Sequence, residues 1–289
     1  MTLSRRALIL SPALMLVARH AEAALAHRIV SIGGAVTEIL YRLGQDAEIV
    51  GVDSTSLYPA EALRTKANVG YMRALGAEGV LSLNPSLVLA AEGAGPPDAL
   101  SLIEQAGVAI VRIPDRPSAA GIVERVEVIA RTLGIPERGA ALIQEIEHGF
   151  AKLAEAKTRI TRPARALFVL SFQNGRPLVG GQGTTADAML ALAGAANAAS
   201  SLSGWKPMSD EGLIAAAPEA IVMMDHGPGG AAQDPFTFPA FAATPAAEKR
   251  RLIVMDSLYL LGFGPRAPSA ARALMAALHP DQVGKAGSP

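Results

Sequence analysis

Short apolar runs alternate along this chain with longer stretches in which apolar side chains recur at steps of three and four. Arg28-Ile29-Val30-Ser31-Ile32 predicts a strand, Ala35 to Leu43 a helix closed by Gly44, and Glu48 to Val52 a second strand. Runs at Leu87–Ala90 and Val108–Ile113 continue the series, and Ser118–Leu133 carries Ile122, Val126, Ile129 and Leu133 at helical spacing. Strands that alternate with helices predict a parallel α/β sheet.

After Pro136, well placed for a first helical turn, Glu137 to Ile160 contains no further proline and repeats Ile143, Ile146, Phe150 and Leu153 on one stripe. At 1.5 Å per residue such a helix is about 36 Å long, enough to join two domains. The alternation then restarts, with strands expected at Ala166–Leu170, Ala220–Met224 and Leu252–Met255 and helices at Thr185–Leu192 and Ser269–Leu278. The expected organisation is an N-terminal lobe over 27–135, a linker helix over 136–162 and a C-terminal lobe over 163–289.

A short pattern recurs in both halves. Glu78-Gly79-Val80-Leu81, Pro85 and Leu87-Val88-Leu89 match Glu211-Gly212-Leu213-Ile214, Pro218 and Ala220-Ile221-Val222, with the proline seven residues after the glutamate each time. Each Glu suits the start of a short helix, where the macrodipole favours an acid. Each Pro suits the passage from helix to strand. Coincidence of common residues is the bland explanation; equal spacing ahead of an apolar strand favours two lobes of one architecture.

Composition narrows the function classes. The 289 residues carry 26 Lys+Arg against 26 Asp+Glu, so no electrostatic footprint for nucleic acid or an anionic membrane is present. Cysteine is absent, which excludes disulfides, thiolate metal sites, thiol nucleophiles and a lipid-modified cysteine. Residues 1–26 read as a secretory signal peptide: Arg5 and Arg6, an apolar run from Ala7 to Ala18, and small-residue cleavage sites at Ala21-Glu22-Ala23 or Ala24-Leu25-Ala26. The run is about 12 residues, short of the roughly 20 that span a bilayer. Ser4-Arg5-Arg6-Ala7-Leu8-Ile9 is also similar to a twin-arginine export signal. A cleaved, periplasmic, mildly acidic chain is expected.

The stretch Arg28-Ile29-Val30-Ser31-Ile32-Gly33-Gly34-Ala35-Val36-Thr37-Glu38-Ile39-Leu40, followed by Gly51-Val52-Asp53, Val69-Gly70-Tyr71-Met72-Arg73, Glu78-Gly79 and Asn84-Pro85, strongly resembles the periplasmic haem-binding components of bacterial ABC haem importers. The likeness runs from Arg28 to about Leu278. The Ser-Ile-Gly-Gly-x-x-Thr-Glu stretch and the Glu-Gly repeat mark the wider class, which also captures siderophores and vitamin B12; Gly70-Tyr71-Met72-Arg73 is the part that points to haem. The resemblance implies two Rossmann-like α/β lobes joined by a single long helix, a ligand cleft between them, haem as transported ligand, an ABC permease dimer as partner, an outer-membrane haem uptake system upstream, and Glu78 and Glu211 as docking charges for the permease.

Ferric porphyrin needs an axial donor, an apolar slot and cations for two propionates. Phenolate is a haem ligand, and a neighbouring cation favours the anionic form. Tyr71 with Arg73 two residues on supplies that pair, although a Tyr-x-Arg by itself more often marks packing beside a solvated charge. Some relatives add a second-lobe histidine, but the matching stretch here, Leu170-Ser171-Phe172-Gln173-Asn174-Gly175, has none. His226 follows a second-lobe strand and is the next candidate ligand. Tyr58, Trp205, Met208, Phe236, Phe238 and Tyr259 are candidate apolar walls, although each alone more often marks core or loop packing; Trp205 is the one singled out. Gly180-Gly181-Gln182-Gly183-Thr184-Thr185 reads as a tight turn before a helix, with an anion cradle as the alternative. Capture of a siderophore or corrinoid is the alternative within the class. A secreted α/β enzyme is remote, since the chain has no Gly-x-Ser-x-Gly elbow, His-Glu-x-x-His helix or complete dinucleotide fingerprint.

Overall fold

The computed structural model describes residues 27–173, 175–225 and 234–283. The expected signal peptide and His226 lie outside the described residues. The first half runs β1 (Ile29–Ile32), α1 (Gly34–Arg42), β2 (Ile49–Val52), α2 (Glu61–Thr65), β3 (Ala67–Asn68), α3 (Ala77–Leu81), β4 (Leu87–Ala91), α4 (Pro97–Gln105), β5 (Ala109–Ile113) and α5 (Ala119–Thr132). Its sheet has the order β3-β2-β1-β4-β5, and every pairing is parallel. Strands β1 and β4 are buried throughout, which is why they read as unbroken apolar runs.

Helix α6 (Pro136–Lys157) follows, 22 residues or about 33 Å. It stops three residues short of Ile160, where Thr158 caps it. Gly139, Leu142, Ile146, Leu153 and Ala156 form its buried stripe, with Ile143 and Phe150 half-buried beside it. Two glycines let it approach a helix of each half. A Cβ on Gly139 would stand 2.5 Å from the Ala130 methyl of α5, and one on Gly149 would stand 3.0 Å from Pro268.

The second half contains β6 (Arg165–Gln173), β7 (Arg176–Gly180), α7 (Thr185–Leu192), β8 (Ala196–Asn197), β9 (Trp205–Pro207), α8 (Asp210–Ala216), β10 (Ala220–Asp225), α9 (Pro239–Ala242), α10 (Pro245–Glu248), β11 (Leu252–Asp256), α11 (Ser257–Leu261), α12 (Ala267–Leu278) and α13 (Pro280–Val283). Its sheet has the order β11-β10-β6-β7-β9, with β8 also pairing to β6. This sheet is not wholly parallel as the alternation predicts: β6, β7 and β9 pair antiparallel because β6 turns back through Gly175 directly into β7.

The repeat seen in the sequence has a common structure. Glu78 and Glu211 both lie in the first turn of a short helix, α3 and α8. Each helix leads through a left-handed residue, Asn84 (φ 46°) or Ala217 (φ 42°), to its proline. The strand that follows pairs parallel with the first strand of its half, β4 with β1 and β10 with β6. The largest apolar core includes Ile39 and Ile129 of the first half, Leu142 and Leu153 of α6, and Phe168 and Leu274 of the second.

Candidate functional site

The motif around β1 builds the floor of a cleft. Gly33 has φ +110°, a conformation open to glycine, and its N–H donates to Asp53 Oδ1 at 2.8 Å. Asp53 is fully buried and accepts further bonds from the Ser56 hydroxyl at 3.1 Å, the Thr55 N–H at 3.0 Å and the Thr55 hydroxyl at 2.7 Å. Thr37 lies 2.7 Å from both the Ser31 and Ser56 hydroxyls. A Cβ on Gly34 would meet the Thr55 carbonyl at 2.3 Å and Leu258 of the other lobe at 2.6 Å. Serine, both glycines, threonine and aspartate are thus tied into one polar network that fixes the loops after β1 and β2. The reversal of strand order beside β1 makes this edge the place where open α/β sheets bind ligands.

A cavity of about 560 Å³ opens above that floor between the two sheets, a size suited to a small organic ligand. Tyr71, Met72 and Arg73 line it from the first lobe; Leu170, Trp205, Met224, Leu258 and Leu261 line it from the second. Tyr71, Arg73 and Trp205 are therefore brought to one cavity from sequence positions more than 130 apart. Gly70 (φ +95°) aims the loop, and backbone bonds brace it: Ser54 N–H to the Gly70 carbonyl at 2.8 Å, Gly95 N–H to Met72 at 2.9 Å, and Ala74 N–H to Tyr71 at 2.8 Å. Tyr71 is 47% exposed. Arg73 is exposed as well, and among the described residues neither its guanidinium nor the Tyr71 hydroxyl has a hydrogen-bond partner. Trp205 is half-buried, seated edge-on against Phe168 at 5.7 Å between centroids, which anchors the wall to the core.

Other sequence candidates lie elsewhere. Met208, Phe236 and Phe238 pack in a smaller core of the second lobe, where Phe238 stacks on Phe172 at 4.5 Å. Tyr58 and Tyr259 flank the guanidinium of Arg266, which stands 3.5 Å and 5.0 Å from their ring centroids. Burial raises the Tyr259 pKa, and the Arg266 charge opposes that. The glycine-rich turn before α7 is a cap: Asp187 accepts from Gly183 N–H at 3.1 Å, and Thr184 accepts from Asp187 N–H at 3.1 Å. An acid of the chain itself fills the place an anion would take. Glu78 and Glu211 are exposed; the Glu211 carboxyl is held below the usual carboxylate range by its own backbone N–H and the Ser209 hydroxyl.

Sequence reasoning missed Arg125 and Asp115, which also line the cavity. Arg125 is 2% exposed; desolvation lowers its pKa, while the paired Asp115 acts in the other direction. A signal was present, since Arg125 falls on the apolar stripe of α5 between Ile122, Val126 and Ile129. Among the described residues, no group of three or more His, Asp or Glu is placed to hold a metal ion.

Two α/β lobes on one helix with a walled cleft at their strand ends define a solute-binding protein. The profile of the periplasmic binding protein family matches residues 29–259, and the chain belongs to that family. Its fold is similar to that of the periplasmic heme-binding protein RhuT from Roseiflexus sp. RS-1, with a TM-score of 0.83, 41% identity, and coverage of 88% of this chain and 98% of that one. A periplasmic heme-binding protein from Pseudomonas aeruginosa superposes with a TM-score of 0.81 at 35% identity, covering 89% and 94%. The ABC transporter substrate-binding lipoprotein YvrC of Bacillus subtilis is 28% identical over 257 residues, 88% of this chain and 80% of its own. The vitamin B12-binding protein of Vibrio cholerae is 27% identical over 206 residues, 70% of this chain and 71% of its own.

Proposed function

We propose that this protein binds haem in the interlobe cleft and delivers it to an ABC-type importer of the inner membrane. The observation that carries the reading is the convergence of an exposed phenol, Tyr71, and an exposed guanidinium, Arg73, opposite an apolar second-lobe wall in one cavity. Tyr71 ligates ferric iron as phenolate. Arg73 stabilises that anion or pairs with a propionate. Trp205, Leu258 and Leu261 contact the porphyrin face and exclude water. The likeness to heme-binding proteins at 41% and 35% identity supports this reading over others of the family.

Titration of the purified protein with hemin, followed by absorbance, tests it. The wild type gives a phenolate-to-iron band; Tyr71→Ala loses the band and binds at least tenfold more weakly. Because Tyr71 is exposed, its removal leaves the fold intact, and an unchanged Tyr71→Ala spectrum would move the ligand elsewhere. The likeness to the vitamin B12-binding protein favours a second reading, a corrinoid carrier with Tyr71 as wall. Saturation by cyanocobalamin with no hemin response would establish that reading instead.

Residues 1–26 act as an export signal that is cleaved from the periplasmic form; an outer-membrane haem uptake system supplies the ligand. Glu78 and Glu211 seat the two lobes on a permease dimer. Reversal of both to Lys leaves the hemin spectrum unchanged and abolishes delivery in a reconstituted transporter, since exposed charges govern encounter and orientation rather than a remote ligand site. Normal delivery by the double variant would reduce both acids to helix-start residues.

A further inference from the structure

The second-lobe segment Gly262-Phe263-Gly264-Pro265-Arg266 is gripped by two buried charges of the first lobe. Arg125 donates from Nη1 to the Phe263 carbonyl at 3.0 Å and toward Gly262 at 3.4 Å. Its Nε holds the Pro114 carbonyl at 2.9 Å, and its Nη2 pairs with Asp115. Glu38, 2% exposed on α1, accepts from the Arg266 backbone N–H and from Arg266 Nη2, each at 3.1 Å. Gly264 rests on the same carboxylate, where a Cβ would stand 3.0 Å from Oε2. Between these grips Phe263 is 1% exposed at φ +47°, a backbone state that a non-glycine residue keeps only when its surroundings impose it.

The segment therefore offers its carbonyls to a first-lobe cation and its N–H and guanidinium to a first-lobe anion. If the lobes part slightly, before water can enter, Glu38 stays buried without its Arg266 partner, which is strongly unfavourable, and Arg125 keeps Asp115 but loses its two second-lobe carbonyls. The segment also directly follows α11, whose Leu258 and Leu261 line the cavity.

We propose that Arg125 and Glu38 are positioning residues that clasp segment 262–266, hold α11 at a fixed distance from Tyr71, and set the width of the cleft before a ligand arrives. The haem reading supplies the ligand used in the test; the clasp itself does not depend on it. Because the chain has no cysteine, spin labels can be placed singly at Leu102→Cys on α4 and Ile214→Cys on α8, both at least half exposed. The interlobe distance distribution is then measured without ligand in the full chain, in the Arg125→Met and Arg266→Gln backgrounds. Arg266 is the more exposed partner, so its replacement preserves the test if Arg125→Met fails to fold. A broadened or longer distribution in either variant is expected, with hemin dissociation at least tenfold faster and the Tyr71 band at its native position. Arg125→Lys, which restores one donor, recovers part of both. Native distributions in both folded variants overturn the clasp. Absence of hemin binding by the wild type would refute the haem reading while leaving the distance measurement decisive for the clasp.

Discussion

His279 ends α12 with its side chain buried; it bonds to the Gly194 backbone, while Nε2 meets no partner among the described residues. Desolvation lowers its pKa, the charges of Arg251 and Arg162 act in the same direction, and the Gly194 bond and Glu219 oppose them. The unfolded chain therefore binds this proton more readily than the folded one. The stability this contributes is complete above the unfolded value of about 6.5 and declines as pH falls below it toward the depressed folded value. His279→Gln, which cannot protonate, is expected to lose less stability than the wild type between pH 7.5 and 5.5 in urea unfolding; parallel losses would contradict the assignment. Legibility at this scale is uneven. Tyr71 and Arg73 stand out because their motif is local, and Asp53 because it closes the same motif. Arg125 does not, because its partner Phe263 is 138 residues away and no short-range spacing encodes the pair.

At the scale of elements, apolar periodicity exposes what packs along its whole length. Helices α1, α5, α6 and α7 fall within a few residues of their predicted bounds, as do strands β1, β2, β4 and β5. Strands β7 and β9 are not legible, since Arg176-Pro177-Leu178 and Trp205-Lys206-Pro207 contain prolines that normally argue against a strand. Helix α4 is hidden by Gly95-Pro96-Pro97, which reads as a loop although Pro97 begins the helix. The glycines of α6 invert an ordinary expectation. Gly→Ala inside a helix normally stabilises by about 1 kcal/mol, but at Gly139 the new methyl overlaps Ala130, and overpacking costs roughly 1–3 kcal/mol. Gly139→Ala is expected to destabilise by about 1 kcal/mol in denaturant unfolding, and Ala130→Gly in the same chain to recover much of the loss. A stabilised single variant would show that the two helices separate freely.

The two sheets share one apolar core that passes through α6, and each also packs a smaller core of its own. A core shared in this way couples the lobes, so neither keeps its packing when the other unfolds. Scanning calorimetry of the protein is expected to show one transition, with calorimetric and van't Hoff enthalpies in agreement. Two separated transitions would mean that the interlobe part of the core contributes little. The two-lobe plan was legible because alternation restarts after a long proline-free stretch. The antiparallel edge of the second sheet was not, because a sequence shows strand order only through its connections.

That continuous core also limits modularity in evolution. Lobes joined by a flexible tether can be exchanged between relatives as cassettes, each arriving with a finished interior. Here a transplanted second lobe would need Pro268 to meet Gly149, and a transplanted first lobe would need Ala130 to meet Gly139. The hereditary unit is the pair of lobes with its helix, so new ligand preferences arise more readily by change in the cleft-lining loops than by shuffling halves.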